Sequence, residues 1–511
     1  MRKFLCLAVS LMFLYACSPI EANESPSPSP SASPSSAPSV SPSAESPSQS
    51  PEPVVSAPGA GFTFDDAPPP EFVNASVHDP SVYRDGDTFY VIGSHLASAK
   101  TTDFIRWSQL SSSVSKGNRL IPDPQTELKE ILEYAKTQTL WASDVHHMPN
   151  GKFYMYYCAC VGDSPLGAIG LAVSDNPDGP YENRGLLIKS GTYPPDGGAY
   201  DANVHPNAVD PQAFFDKDGK FWMVYGSYSG GIFILEMNPE TGGIADTEAN
   251  RANFGYGKKL LGGNHSRIEG PYILYSPETD YYYMFLSFGG LDKTGGYNIR
   301  VCRSRNPDGP YEDAAGNEMG KCRGRSGTFF DDASIEPYGV KIIGGYQFKH
   351  EDGEPGRTTG YLSPGHNSAC YDAESGKYFL IFHQRFTQGE GHEIRVHEMF
   401  LNDDGWFAVS PFRYDAGTVR EFTAEELTGS YKVISFGHDI NTTAKISVTV
   451  HIDGAAALSG KNTADIVIGG VSYNGVFLRC WDEGNQMWVQ AFTALSESGE
   501  AIWGAGVALG K

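Results

Sequence analysis

Short runs of β-branched and aromatic residues recur along the chain, each bounded by Gly, Asp, Asn or Pro. Within many of them polar and apolar positions alternate with a period of two, which is a strand's period and not a helix's. One unit repeats five times: a short strand, a polar turn, then an aromatic-rich strand. Its copies are DPSVYRDGDTFYVIGS from Asp79, SDVHHMPNGKFYMYYC from Ser143, DPQAFFDKDGKFWMVYGS from Asp210, EGPYILYSPETDYYYMFLS from Glu269 and NSACYDAESGKYFLIFHQ from Asn367. The turns carry Asp85-Gly86, Asn150-Gly151, Asp218-Gly219, Thr279-Asp280 and Ser375-Gly376. Four of these five place Gly where a tight hairpin needs positive φ. Third strands are expected at Ile169–Ser174, Ile232–Met237, Ile299–Ser304 and Ile394–Met399, with a weaker candidate at 98–107 after the first copy. SDNPDGPYE (174–182) and SRNPDGPYE (304–312) read as the turn and outer strand of a blade.

Five antiparallel units closed in a ring make a five-bladed β-propeller, here spanning 61–426. A β-sandwich has no reason to repeat this unit. From Leu427 the texture changes to alternating strands without the repeat, so an all-β chain is expected to end in a small β-barrel or sandwich over 427–511. At least two of its Trp481, Trp488 and Trp503 are expected in its core.

Before the propeller, Met1-Arg2-Lys3 precedes an apolar run from Phe4 to Ala16, which reads as a signal peptide. Leu14-Tyr15-Ala16-Cys17 has the form of a bacterial lipoprotein cleavage site, making 1–16 a lipoprotein-type signal and Cys17 a lipidated first residue. An ordinary secretory signal is the alternative. Residues 25–51 hold 13 Ser and 8 Pro, so 17–60 is expected to be an extended tether holding an extracellular body at the cell surface. With 61 acidic and 38 basic side chains the formal net charge is −23, which disfavours nucleic acid, anionic lipid and polyanionic ligands. Membrane contact is expected only through a lipid at Cys17, and the protein is expected to be a monomer. The six later Cys show no dense disulfide framework and are expected to be buried thiols, without a zinc site.

Three copies of the repeat begin with a carboxylate: Asp79 in HDP, Asp210 in VDP and Glu269 in IEGP. In a propeller the starts of the innermost strands ring one mouth of the channel, so the fold gathers groups 131 and 59 positions apart. Glycoside hydrolysis needs a carboxylic acid to protonate the leaving oxygen and a carboxylate to activate water. A third carboxylate nearby would push their pKa values apart. Taken singly, each reads equally well as turn chemistry. Asp144, also at a blade start, is read as structural.

VHDPSVYRDGDTFYVIGSH, LWASDVHHMPNGKFYMYY, HPNAVDPQAFFDKDGKFWMVYGSYSGGIFILEM, SRIEGPYI and GYLSPGHNSA resemble glycoside hydrolase family 43, and within it the endo-α-1,5-L-arabinanase branch. The resemblance covers the propeller, and the C-terminal domain resembles the one in extracellular two-domain members. It implies an inverting hydrolase of α-1,5-arabinan, a neutral pectin side chain, with Asp79 as general base, Glu269 as general acid and Asp210 tuning the acid. By the same resemblance Asn207, Ser227 and Ser229 contact sugar beside Asp79 and Asp210, as do Trp141, which reads equally as blade core, and Gly167. His366 matches a histidine beside a metal, usually calcium, at the channel centre, with water supplying most of the shell because hard cations prefer oxygen. An exo-acting α-L-arabinofuranosidase or β-xylosidase of the same family is the alternative. A non-catalytic sugar-binding propeller would require the loss of a carboxylate, and all three are present.

Overall fold

The computed structural model describes residues 67–508 apart from 163, 388–390, 418–420, 453–457 and 460–461. The expected signal peptide, Cys17, the whole of the tether and the first six residues of the expected propeller span lie outside the described residues. Five antiparallel sheets follow one another along the chain. Their innermost strands are Ser81–Asp85, Trp141–His147, Gln212–Phe215, Ile268–Ser276 and Thr359–Asp372. In each blade the next strand returns through the polar turn identified in the sequence. Gly86, Gly151, Gly219 and Gly376 all have positive φ, and Asp280 takes that role, at φ 54°, in the blade that lacks Gly. The inner strands contact one another in the order one to five and back to one, so the sheets close into a five-bladed propeller.

The blades pack face to face because both faces of each sheet are apolar. Each junction has its own core: Leu128, Met155 and Tyr157 between blades one and two; Tyr156, Met223 and Phe233 between two and three; Val224, Met284 and Phe288 between three and four; Phe285, Leu380 and Phe407 between four and five. Phe89, Val91, Phe379 and Ile381 close the seam between five and one. Polar ties lie nearer the channel. The buried Asp144 accepts hydrogen bonds from Ser81 Oγ of blade one (2.5 Å) and the Ala213 N–H of blade three (2.8 Å). Gln212 of blade three holds both backbone groups of Ile273 in blade four.

Two features depart from the sequence reading. The segment 174–182 does lead into an outer strand, Glu182–Lys189. Its counterpart at 304–312 does not: Glu312 makes only isolated bridges to Arg303 and Glu318, and the outer strand of blade four is Val340–Ile343. The intervening chain carries Met319–Lys321 and Asp332–Ile335 as short helices. The second departure is in blade five. Its long inner strand pairs with Tyr346–Phe348, which pairs in parallel with Lys445–Ile446 from beyond the propeller.

The C-terminal region forms one seven-stranded antiparallel sheet, from Val448–Ile452 at one edge to Leu458–Ser459 at the other. Near its ends Val448–Ile452 and Thr463–Ile468 approach each other, so the sheet curls into a half-barrel. Alternation divides its side chains. Ile502, Phe477 and Phe492 face its own core, whereas the fully buried Trp503 packs with Tyr346 and Phe436 beside blade five. Trp481 is also buried. Glu354, in the loop before the inner strand of blade five, is buried against this sheet and accepts from Lys432 (2.7 Å), Asn485 (3.0 Å) and the Ala508 N–H (3.1 Å).

Burial raises the Asp144 carboxyl to about 6, although Ala213 and Ser81 donate to it. Its folded-state value lies above the ordinary 3.8, so the folded protein binds this proton more tightly than the unfolded chain does. The resulting stabilisation is full below about pH 4 and fades as pH rises through 6, by about 3 kcal/mol. Urea unfolding of the wild type should therefore show a decline across that window that Asp144→Asn lacks. Asp144→Ala, which strands both donors, should be less stable than the wild type by about 2–4 kcal/mol below about pH 4, and the gap should narrow as pH rises through 6 because only the wild type declines there.

Candidate active site

The channel mouth is built where the chain turns into each inner strand. Aligning the blades by this turn places Asp79, Ala142, Asp210, Gly270 and His366 at one level, followed by Pro80, Ser143, Pro211, Pro271 and Asn367. Asp79 (φ 56°), Asp210 (55°), Gly270 (57°) and His366 (42°) are all left-handed. Three of these are not Gly, and left-handed backbone costs such residues about 1–2 kcal/mol each. Strain of this kind persists where packing over-determines it. Glu269 is thus one residue out of step with the two aspartates, and Gly270 holds their level. The reason is steric. A Cβ on Gly270, itself at φ 57°, would sit 3.1 Å from the His366 ring, so a side chain there would be both strained and tightly pressed against the ring.

Asp79 is buried among three imidazoles. His78 Nδ1 lies 2.7 Å from one carboxylate oxygen, which also accepts from Ser94 Oγ. His366 and His383 Nδ1 lie 3.3 and 3.5 Å from the other. Burial alone would raise this carboxyl, but His78, His366 and His383 outweigh it and hold Asp79 well below the usual carboxylate range. His383 is fully buried, stacks on His78 at 3.9 Å and accepts the Asp79 N–H at Nδ1.

The other two carboxyls behave oppositely. Glu269 accepts from Tyr297 OH (2.5 Å) on one oxygen and Ser227 Oγ (2.7 Å) on the other. Burial nevertheless pushes it up, against His366, Tyr297 and Ser227. Asp210 rises well above its ordinary value through burial and the neighbouring Glu269 and Asp79, with one opposing bond from the Gly270 N–H (3.3 Å). The site thus favours the charged form of Asp79 and the protonated forms of Asp210 and Glu269.

The remaining predicted residues divide. Asn207 lies over Gly167, where a Cβ would come within 2.3 Å of its Oδ1, so Gly is required there. Ser190 Oγ accepts the N–H groups of Gly167 (3.3 Å) and Ala208 (2.9 Å) and so joins the two segments. Ser227 reaches Glu269, whereas the structure places Ser229 in the adjoining turn, buried, with its carbonyl accepting the His265 N–H. Trp141 starts the inner strand of blade two, half-buried, with its indole N–H on Cys160 O (2.9 Å) and its ring 5.2 Å from His95. Sequence reasoning missed His78, Ser94, Tyr297, His383 and Cys160. Cys160 is one of six free thiols among the described residues, and burial with Asp210 and Glu269 nearby raises it to about 12, leaving it protonated. Ser94, His78 and His383 carried a signal, since Ser94 ends the first repeat, His78 adjoins it and His383 lies near the end of the fifth.

Among the described residues, the cluster whose ligand atoms converge within 4.8 Å is His78, Asp79 and His383. It could hold a metal ion. His366 is not part of it, although it adjoins Asp79. A narrow polar cavity between blades is lined by His366, Asn367, Asp79, Asp210 and Ser143. Both side-chain amide atoms of Asn367 are buried there without a partner. Such unpaired groups, with carboxylate and hydroxyl oxygens around them, fit a hard cation reached partly through water.

Comparison with known proteins agrees with this geometry. Residues 71–332 match glycosyl hydrolases family 43, and 411–504 match a C-terminal lipocalin-like domain. The chain is 56% identical over 449 residues to extracellular endo-α-(1→5)-L-arabinanase 2 of Bacillus subtilis, covering 85% of this chain and 94% of that one. It is 45% identical over 456 residues to extracellular endo-α-(1→5)-L-arabinanase of Thermotoga petrophila, with the same coverage. Among solved structures, a family 43 glycoside hydrolase from Bacillus licheniformis superposes with a TM-score of 0.81 at 52% identity, covering 86% of this chain and 99% of that one. Endo-1,5-α-L-arabinanase from Thermotoga petrophila superposes at 0.79 and 45% identity, covering 86% and 100%. A five-bladed ring with buried carboxyls at its mouth, and matches that extend across nearly the whole of these relatives, lead to one conclusion: the chain belongs to glycosyl hydrolases family 43.

Proposed function

We propose that this protein is an extracellular enzyme that cleaves α-1,5-L-arabinan internally by an inverting acid–base mechanism. The relatives' activity supports the substrate. What supports the mechanism is the arrangement at the mouth: Asp79 lies among three imidazoles that favour its charge, while Glu269, held by Tyr297 and Ser227, and Asp210 are buried beside other carboxyls, which favours their protonated forms. In this reading Asp79 takes a proton from water as the water oxygen bonds to the anomeric carbon. Glu269 gives its proton to the departing glycosidic oxygen, so the C–O bond breaks without releasing an alkoxide. Asp210 keeps the proton shared with Glu269 from leaving before the sugar arrives. The Tyr297 and Ser227 hydroxyls fix the Glu269 carboxyl, and His78, Ser94 and His383 fix Asp79. Asn207, Ser227, Ser229, Trp141 and Gly167 form the sugar-contacting wall.

His366 is the protein ligand proposed for calcium, with water filling most of the shell. When bound, the ion would supply fixed positive charge that helps keep Asp79 ionised. Cys17 is the proposed lipid attachment point at the cell surface. Recovery of Cys17→Ala in the culture supernatant, with the wild type in the membrane fraction, checks it.

On linear arabinan the wild type should release mixed oligosaccharides from the outset; arabinose alone would mean exo action. Asp79→Asn should lose at least 10³-fold in kcat/KM on polymer and on an activated aryl arabinoside alike. Glu269→Gln should lose a similar factor on the polymer but much less on the aryl substrate, whose leaving group needs little protonation. Near wild-type cleavage of arabinan by Glu269→Gln would overturn the assignment.

Chelation should lower both activity and the unfolding midpoint, and added calcium should restore both. His366→Ala should not respond to calcium. Activity and thermal scans made with and without chelator check this.

A further inference from the structure

We propose that Phe329 and Phe330 form a stacking platform for the arabinan main chain, beyond the sugars at the scissile bond. The proposal rests on the arabinan reading. Phe329 is 70% exposed and Phe330 54%, although they adjoin in sequence, and the backbone of Phe330 donates to His265 O, whose own N–H donates to Ser229 O. Large apolar side chains grouped in the open mark a surface that something covers. Neither ring is loose. Phe329 stacks on His265 at 4.4 Å and 28°, and Phe330 meets Tyr228 edge to face at 5.8 Å and 87°. Phe330 is held at φ 56°, a costly conformation for a bulky residue. The segment is pinned on one side of this pair: Asp331 accepts from Arg325 (2.7 Å) and Ser334 (2.8 Å), and Asp332 accepts from Arg267 Nε (2.9 Å).

Continuity with the site points to the occupant. Tyr228 stands between Ser227 and Ser229, and its N–H donates to Ile268 O, next to Glu269. The platform therefore begins one ring away from the proposed acid. Arg325 and Arg267 beside it are paired with Asp331 and Asp332, and the two exposed faces themselves are uncharged rings. That suits a neutral furanose chain, whose rings present C–H faces to an aromatic ring, and it does not suit a charged polymer.

The test is KM against chain length. Phe329→Ala, Phe330→Ala and the double variant should raise KM about tenfold on linear arabinan and arabinohexaose and less than twofold on arabinotriose, with kcat little changed. Phe329→Trp and Phe330→Tyr should keep the wild-type KM. A KM unchanged at every length, or raised equally at every length, overturns the platform. So does a wild type that sediments as a dimer and becomes monomeric in the alanine variants with KM unaltered, since the rings would then serve a second copy of the chain. A wild type that cleaves no arabinan overturns the substrate reading, and the platform with it; normal cleavage with a flat KM overturns the platform alone.

Discussion

Every blade is a sheet with two apolar faces, and a sheet of that kind cannot be left with either face in water. Closing five of them into a ring buries both faces of all five with no outermost layer. The channel, its mouth and the crowding of carboxyls at that mouth follow from this requirement. Inner strands must start side by side, so whatever residue sits at each start is drawn towards the axis. Asp144 and Gln212 show how far the level is fixed, since each reaches a backbone group of the next blade.

Crowding then sets the electrostatics. Three buried carboxyls cannot all be ionised together in a poorly hydrated site. The imidazoles favour charge on Asp79, where three of them gather, while Glu269 feels His366 alone beside two hydroxyls and Asp210 meets an amide and the other carboxyls. Burial is the largest influence on Glu269, ahead of its neighbours' charges. The difference in proton affinity among these carboxyls thus comes from the partners each blade start receives and hardly at all from the carboxyls themselves.

The propeller was legible because its repeat is local: turn and strand signals lie within one stretch of sequence, and five copies reinforce one another. The start of each copy marked Asp79, Asp210 and Glu269 as neighbours in space. The one-residue offset at Glu269 was not legible, because it depends on the His366 ring lying close against where a Gly270 side chain would be. Tyr297, His383 and Cys160 were missed for a related reason. Each sits at a strand end or a second strand whose nearness to the mouth exists only after closure; His383 lies in the fifth repeat copy, but its place there does not reveal the contact of its ring with Asp79. The outer strand of blade four failed differently: a helix-bearing insertion separates Glu312 from Val340, although the preceding motif matches that of blade two.

The seam between blades five and one has a further consequence. Blades one to four are each continuous in sequence, blade five is so apart from Lys445–Ile446 at its edge, and blades one and five share no strand. The ring is joined there by side-chain packing, the Arg84–Asp372 ion pair and contacts such as Ser76 Oγ with His392 O, which span 316 positions. Contacts within a blade close short loops, and those at the seam close almost the whole propeller. Since loop closure grows costlier with length, the seam is the natural last event in folding. Until it forms, the chain is an open arc with two bare apolar faces at its ends. An exported protein of this design is most exposed to mispairing with its neighbours in that interval, before the first blade has met the fifth.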